Sequence, residues 1–128
     1  MRTQVETSGA PGPIGPYSQG IRAGRFVFTA GQTGADPATG ELEDGVAAQA
    51  ERALRSLTAI LDAAGVSIDR VVKTTIFLTE TSDFAAVNEV YARHFSAPYP
   101  ARSTVTVKAL PKGALVEIEA VAIAPDGP

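Results

Sequence analysis

The chain has 128 residues, 45% of them hydrophobic and 20% charged, which is the length of one domain with enough apolar sequence to bury a core. It has no cysteine and a single histidine, His94, which removes disulfides, thiolate nucleophiles, sulfur-ligated metals and histidine-rich zinc sites. A net charge of −3 runs against the basic excess of a phosphate-tracking surface, so a small molecule is expected as substrate rather than nucleic acid.

No window approaches the ~18 consecutive apolar residues of a membrane span, and the opening Met-Arg-Thr-Gln-Val-Glu lacks the apolar stretch of a secretory signal. A cytoplasmic protein without a membrane partner is the expectation. No repeat or low-complexity tract divides residues 1–128, which are read as one domain.

Ser8 to Gly20 holds three prolines and four glycines and reads as an ordered loop or bent edge. Gly24 to Ala30, rich in aromatic and β-branched residues, predicts a strand, and Asp36 to Gly40 a turn. From about Asp44 to Ala64 the period becomes helical. Val46, Ala50, Ala53, Leu54, Leu57, Ile60, Leu61 and Ala64 make one apolar stripe, with Gln49, Glu51, Arg52 and Arg55 off it and Gly65 placed as a stop. Val71 to Leu78 predicts a strand with Val72, Thr74, Ile76 and Leu78 on one face.

Ser82 is the expected N-cap of a second helix running to about Phe95, with Phe84, Val87, Tyr91 and Phe95 along its apolar side. Pro98 and Pro100 then hold the chain extended. Two closing strands, Arg102 to Ala109 and Leu115 to Ala124, read as a hairpin joined by a five-residue loop. The order predicts an α+β fold. Two helices can cover only one face of such a sheet, so the other face is expected to be buried against sister subunits.

Arg102 stands at the mouth of a strand, where its planar fork suits a carboxylate, although a solvated strand-end arginine has the same sequence signature. Glu117 and Glu119 interrupt a strand that is apolar on both faces. They read either as an acid or base with a raised pKa or as members of a structural ion pair with Lys108 or Arg102. Asn88 is a polar intruder beside the second helix's stripe, and Tyr17 is an aromatic presented on the Pro/Gly loop. His94 reads as structural. No Gly-x-Gly-x-x-Gly, phosphate loop or Gly-x-Ser-x-Gly elbow is present.

Ile14-Gly-Pro-Tyr-Ser-Gln-Gly20, Ala30-Gly-Gln32, Val72-Lys-Thr-Thr75, Phe84-Ala-Ala-Val-Asn88, Pro100-Ala-Arg-Ser103 and Val116-Glu-Ile-Glu-Ala120 occur in register. In this the chain resembles the Rid/YjgF family, in its archetypal deaminase branch, from about Ala10 to Ala124. The resemblance implies a chorismate-mutase-like fold, with a mixed sheet and two helices on one face, assembled as a homotrimer with sites between subunits. It also implies hydrolysis of 2-iminobutanoate, 2-iminopropanoate and their enamine tautomers, such as 2-aminoacrylate, without metal or organic cofactor. That activity protects pyridoxal-phosphate enzymes.

Carried over by position, Arg102 would clamp the substrate carboxylate and Glu117 would orient or activate water. Tyr17, Gly31, Asn88 and Thr104 would bind substrate or shape the pocket. Two positions depart from the family's usual residues: Ala30 stands where many relatives have Ser, and Thr104 where many have Cys. The competing readings are a non-catalytic sensor of small carboxylates, a chorismate-mutase-type enzyme and an endoribonuclease.

Overall fold

Helix α1 (Val46–Ala63) forms where the stripe predicts it. Ala50, Ala53, Leu54, Leu57, Ile60 and Leu61 are all buried, and each fully buried Leu or Ile contributes about 1.5–3 kcal/mol of transfer free energy. Gly65, at φ 76°, ends it. Its N–H bonds the Asp62 carbonyl while the Val66 N–H reaches back to Leu61, the paired bonds of a left-handed cap. Gln49 and Ser56 share the buried side. Gln49 is therefore not off the stripe as its polarity suggested. Its amide accepts the Leu115 N–H at 2.8 Å and donates to the Glu43 carbonyl at 3.1 Å, which satisfies a polar group under the sheet.

The structure is a computed structural model and describes residues 1–125. Its strands are β1 (Arg2–Val5), β2 (Gly20–Ala23), β3 (Phe26–Thr29), β4 (Gln32–Thr33), β5 (Val71–Leu78), β6 (Ala101–Thr106) and β7 (Val116–Ile123). They form one mixed seven-stranded sheet in the order β1-β2-β3-β7-β5-β6, with the short β4 also paired to β7. Helix α2 (Phe84–Tyr91) packs beside α1 on the same face of this sheet. The α+β architecture with helices on one side is as expected. No helix among the described residues is long and apolar enough to cross a membrane.

The closing hairpin is not there. β5 lies between β6 and β7, parallel to the first and antiparallel to the second. The composition of the two strands explains the arrangement. β7 alternates buried and half-buried residues along its whole length and takes the middle of the sheet, while β6 is mostly exposed and takes the edge. Thus β5, α2 and β6 form a crossover unit.

Helix α2 is also shorter than its stripe. A 3-10 turn over Thr81–Asp83 precedes it, so Asp83 rather than Ser82 holds the N-cap position, and no side chain caps it. Beyond Tyr91 the N–H groups of Arg93 and His94 bond three residues back, yet Phe95 still reaches the core and stacks on Tyr91 with centroids 4.4 Å apart. Val72 is exposed, against expectation. A bulge between Val71 and Lys73 shifts the parity, and Val71 takes the core side.

The face opposite the helices carries apolar residues that nothing among the described residues covers. Phe26 and Phe28 on β3 and Val105 on β6 are each 45% exposed. Register places Phe26 opposite Ile123 and Phe28 opposite Val121, so β3 and β7 present one apolar strip on that side.

Candidate active site

Two half-sites form, one on each side of the sheet. Cross-strand partners share a face. Arg102 is opposite Thr74, which is buried under the helices, whereas Glu117 is opposite half-buried Phe77 on the uncovered side. The arginine and the carboxylate expected to work together are therefore kept apart within one chain.

On the helix side, Arg102 lies over the rings of Tyr91, 4.8 Å from its centroid, and Phe84, 5.6 Å from its centroid. One guanidinium nitrogen donates to Asn88 Oδ1 at 2.7 Å. Tyr91 is itself fixed by a buried 2.7 Å hydrogen bond between its hydroxyl and Thr74 Oγ1. Burial raises the Tyr91 pKa, against the Thr74 bond and the Arg102 charge, and keeps the phenol neutral. The fork is thus held by two rings and an amide, with its other N–H groups unspent among the described residues. Asn88, Tyr91, Tyr99, Pro100 and Arg102 border a hollow of about 310 Å³. Thr104, opposite Ile76, is half-buried on the same face.

On the other side, Glu117 lines a cleft of about 220 Å³ together with Tyr17, Gly31, Thr33 and Lys112. Its carboxyl is half-buried and makes no hydrogen bond or ion pair among the described residues. Burial first, and then the Glu119 charge, push its pKa above the ordinary carboxylate value. Neither carboxylate pairs with Arg102 or Lys108 among the described residues, so the expected structural ion pair does not form within the chain. Gly31 lets the backbone approach Glu117 closely: a Cβ built on it would stand 2.7 Å from Glu117 Cδ, so that side chain would have to shift.

The loop that carries Tyr17 is ordered by Gln19. This buried amide accepts the Thr7 N–H at 2.7 Å, and its nitrogen lies 2.9–3.1 Å from the carbonyls of Thr7, Ala10 and Pro11. Tyr17 itself is 52% exposed, with its hydroxyl accepting the Ile14 N–H at 3.2 Å. His94 is structural, as expected: it bonds Glu51 of α1 at 2.9 Å and depresses that carboxyl's pKa. No cluster of His, Asp and Glu among the described residues is arranged to hold a metal ion.

Sequence reasoning missed Tyr91 and Phe84 as supports of the arginine, and read them only as helix stripe. It also missed Thr33 and Lys112 in the cleft. The signal for Tyr91 was its position one helical turn from Asn88 and Val87; the Lys112 signal lay in the reversal Pro-Lys-Gly, which looked only like a turn.

The family model described as Endoribonuclease L-PSP, that of the Rid/YjgF proteins, matches residues 7–124. The chain belongs to the Rid/YjgF family. Among its Rid/YjgF relatives, a RutC family protein of Sinorhizobium fredii is 54% identical over 122 residues, which is 94% of this chain and 97% of the relative. The 2-iminobutanoate/2-iminopropanoate deaminase of Homo sapiens is 48% identical over 124 residues, 96% of this chain and 90% of the relative. The crystal structure of Escherichia coli TdcF with bound serine matches this Rid fold with a TM-score of 0.92 at 44% identity, covering 96% of this chain and 99% of that one. RidA from an Antarctic Psychrobacter matches with a TM-score of 0.92 at 47% identity, covering 94% and 98%.

Proposed function

We propose that this Rid protein is a hydrolytic deaminase of reactive 2-imino and enamine carboxylic acids. Its site forms where the Arg102 side of one copy meets the Glu117 cleft of another, in a homotrimer. The observation that carries the reading is the pair of incomplete half-sites. One has a preorganised guanidinium with unspent donors, and the other has a half-buried carboxylate raised in pKa with no partner of its own. The apolar strip of Phe26, Phe28 and Val121 on the uncovered face supports a second copy as its cover. The iminobutanoate deaminase named among the relatives and the serine bound to TdcF support a small amino- or imino-carboxylate as ligand.

In this reading Arg102 binds the substrate carboxylate through two parallel N–H bonds, and Tyr17, Gly31 and Thr104 bound the acid's short body. Glu117, ionised, takes a proton from a water whose oxygen adds to the C2 carbon of the C=N bond. Glu117 passes that proton to the nitrogen, giving a carbinolamine. As the C–N bond breaks, Glu117 takes the carbinolamine hydroxyl proton while the C=O bond forms and delivers it to the departing nitrogen, so that a 2-keto acid and ammonia leave and the carboxylate is regenerated. A carboxyl with a raised pKa is the better base for this step.

The test generates 2-iminobutanoate with an amino-acid oxidase and lets semicarbazide compete for it. Wild type should suppress semicarbazone formation and Arg102→Ala should not. No effect of wild type on several 2-imino acids removes the enzyme reading and leaves a carboxylate-binding protein.

A further inference from the structure

Among the described residues Lys112 is the only non-glycine with a positive φ, at 56°. With Gly113 (φ 76°) it makes a tight reversal just ahead of β7, closed by bonds from Gly113 N–H to the Leu110 carbonyl at 3.2 Å and from Ala114 N–H to the Pro111 carbonyl at 3.0 Å. Glycine or asparagine suits such a position, and a lysine there carries backbone strain. Strain of this kind in a residue that lines a candidate site points to a use for its side chain.

Lys112 borders the Glu117 cleft, whose rim here is the Asp36–Gly40 turn. Its Nζ stands 3.8 Å from where a Cβ on Gly40 would lie, and no acceptor among the described residues takes it. Its Nζ lies on the Gly40 side of the cleft, while the Glu117 carboxyl lies against Gly31. The cleft therefore holds a carboxylate at one place and an unpaired ammonium at another, with Ala35, Pro37 and Pro111 among its apolar walls.

Building on the deaminase reading above, we propose that Lys112 is a second anion subsite, so that the cleft selects 2-imino dicarboxylates over 2-imino acids with neutral side chains. Arg102 of the neighbouring copy holds the carboxylate next to the C=N bond, and Lys112 meets the carboxylate at the end of the side chain. A compact ammonium on a flexible stem suits that task, because it follows the end of a short chain without fixing its plane. The chemistry is unchanged: 2-iminoglutarate and water give 2-oxoglutarate and ammonia.

The experiment compares kcat/KM for the imines of glutamate and of 2-aminobutanoate in wild type, Lys112→Met and Lys112→Gly. Wild type should favour the dicarboxylate. Both variants should lower the dicarboxylate-to-monocarboxylate ratio by about fivefold, the size expected of one solvent-accessible ion pair. The change should fall mainly on KM. Lys112→Gly relieves the positive φ and should raise the melting temperature, which separates loss of the ammonium from damage to the turn. An unchanged ratio in both variants overturns the proposal. If wild type hydrolyses no imine at all, the deaminase reading fails by itself. Titration with 2-oxoglutarate against 2-oxobutanoate then decides the subsite: weaker 2-oxoglutarate binding in Lys112→Met sustains it, and equal binding overturns it.

Discussion

Gly31→Ala places a methyl group against the carboxylate proposed as base. The new Cβ would stand 2.7 Å from Glu117 Cδ and 3.0 Å from Cγ, against the roughly 3.5–4.0 Å of an ordinary carbon contact. Something must therefore move by about 1 Å. Glu117 can yield, because its carboxylate is half-buried and bonded to nothing among the described residues. An off-rotamer side chain costs roughly 0.5–1.5 kcal/mol, so the melting temperature should fall by only about 2–6 °C. Activity should suffer more. A base misplaced by about 1 Å costs on the order of 100-fold in turnover, equivalent to about 2.7 kcal/mol of transition-state stabilisation. Semicarbazide competition on 2-iminobutanoate reads the rate, and a thermal melt reads the fold. Turnover near that of wild type would refute the placement of Glu117 at the reacting carbon. A collapse of the melting temperature would instead show that the contact cannot be relieved by the side chain.

Asn88→Ala removes the 2.7 Å acceptor of the Arg102 guanidinium but leaves both rings beneath it. Binding of a small carboxylate such as 2-oxobutanoate should weaken roughly tenfold, the worth of one charge-assisted hydrogen bond, while thermal stability changes little; titration calorimetry checks this. The raised pKa of Glu117 sets a pH dependence with a definite sign. Between its ordinary 4.5 and its raised value the folded chain holds a proton that the unfolded chain has lost, so this group makes stability fall as pH climbs through that window. Glu117→Gln should melt with wild type below that window and above wild type at neutral pH. The same group predicts a wild-type activity that rises with pH through an inflection above the usual carboxylate range, read in the semicarbazide assay.

Elements with an unambiguous period were legible in the sequence. The α1 stripe, with Gly65 as its stop, and β5 were placed within a residue or two, because an amphipathic period specifies both the element and its buried side. What depends on distant partners was not. Nothing local to β6 or β7 shows that β5 will separate them, since a short reversal such as Pro111–Gly113 serves a hairpin and a strand-skipping connection alike. The bulge that turns Val72 outward and the 3-10 turn that displaces Ser82 from the cap are decided by register and packing rather than by propensity.

For the site, residue types were easier to read than their placement. Arg102, Asn88, Glu117, Tyr17 and Gly31 all fall at clefts, and Thr104 lies on the Arg102 face. That Arg102 and Glu117 occupy opposite faces follows only from pairing both strands to β5, as Thr74 with one and Phe77 with the other. Tyr91 read as core because it is core; its second duty under the guanidinium depends on a hydrogen bond to Thr74, seventeen positions earlier in the chain.

The claim that a productive site needs two copies is tested most directly by mixing two inactive variants. Arg102→Ala keeps an intact Glu117 cleft, and Glu117→Gln keeps an intact guanidinium. Each should be inactive alone in the semicarbazide assay. Unfolded together in equal amounts and refolded, they should recover about a quarter of wild-type activity, the share of interfaces in a random mixture that pairs one intact half with the other. No recovery, with mixed oligomers confirmed by mass spectrometry, would contradict a site shared between subunits.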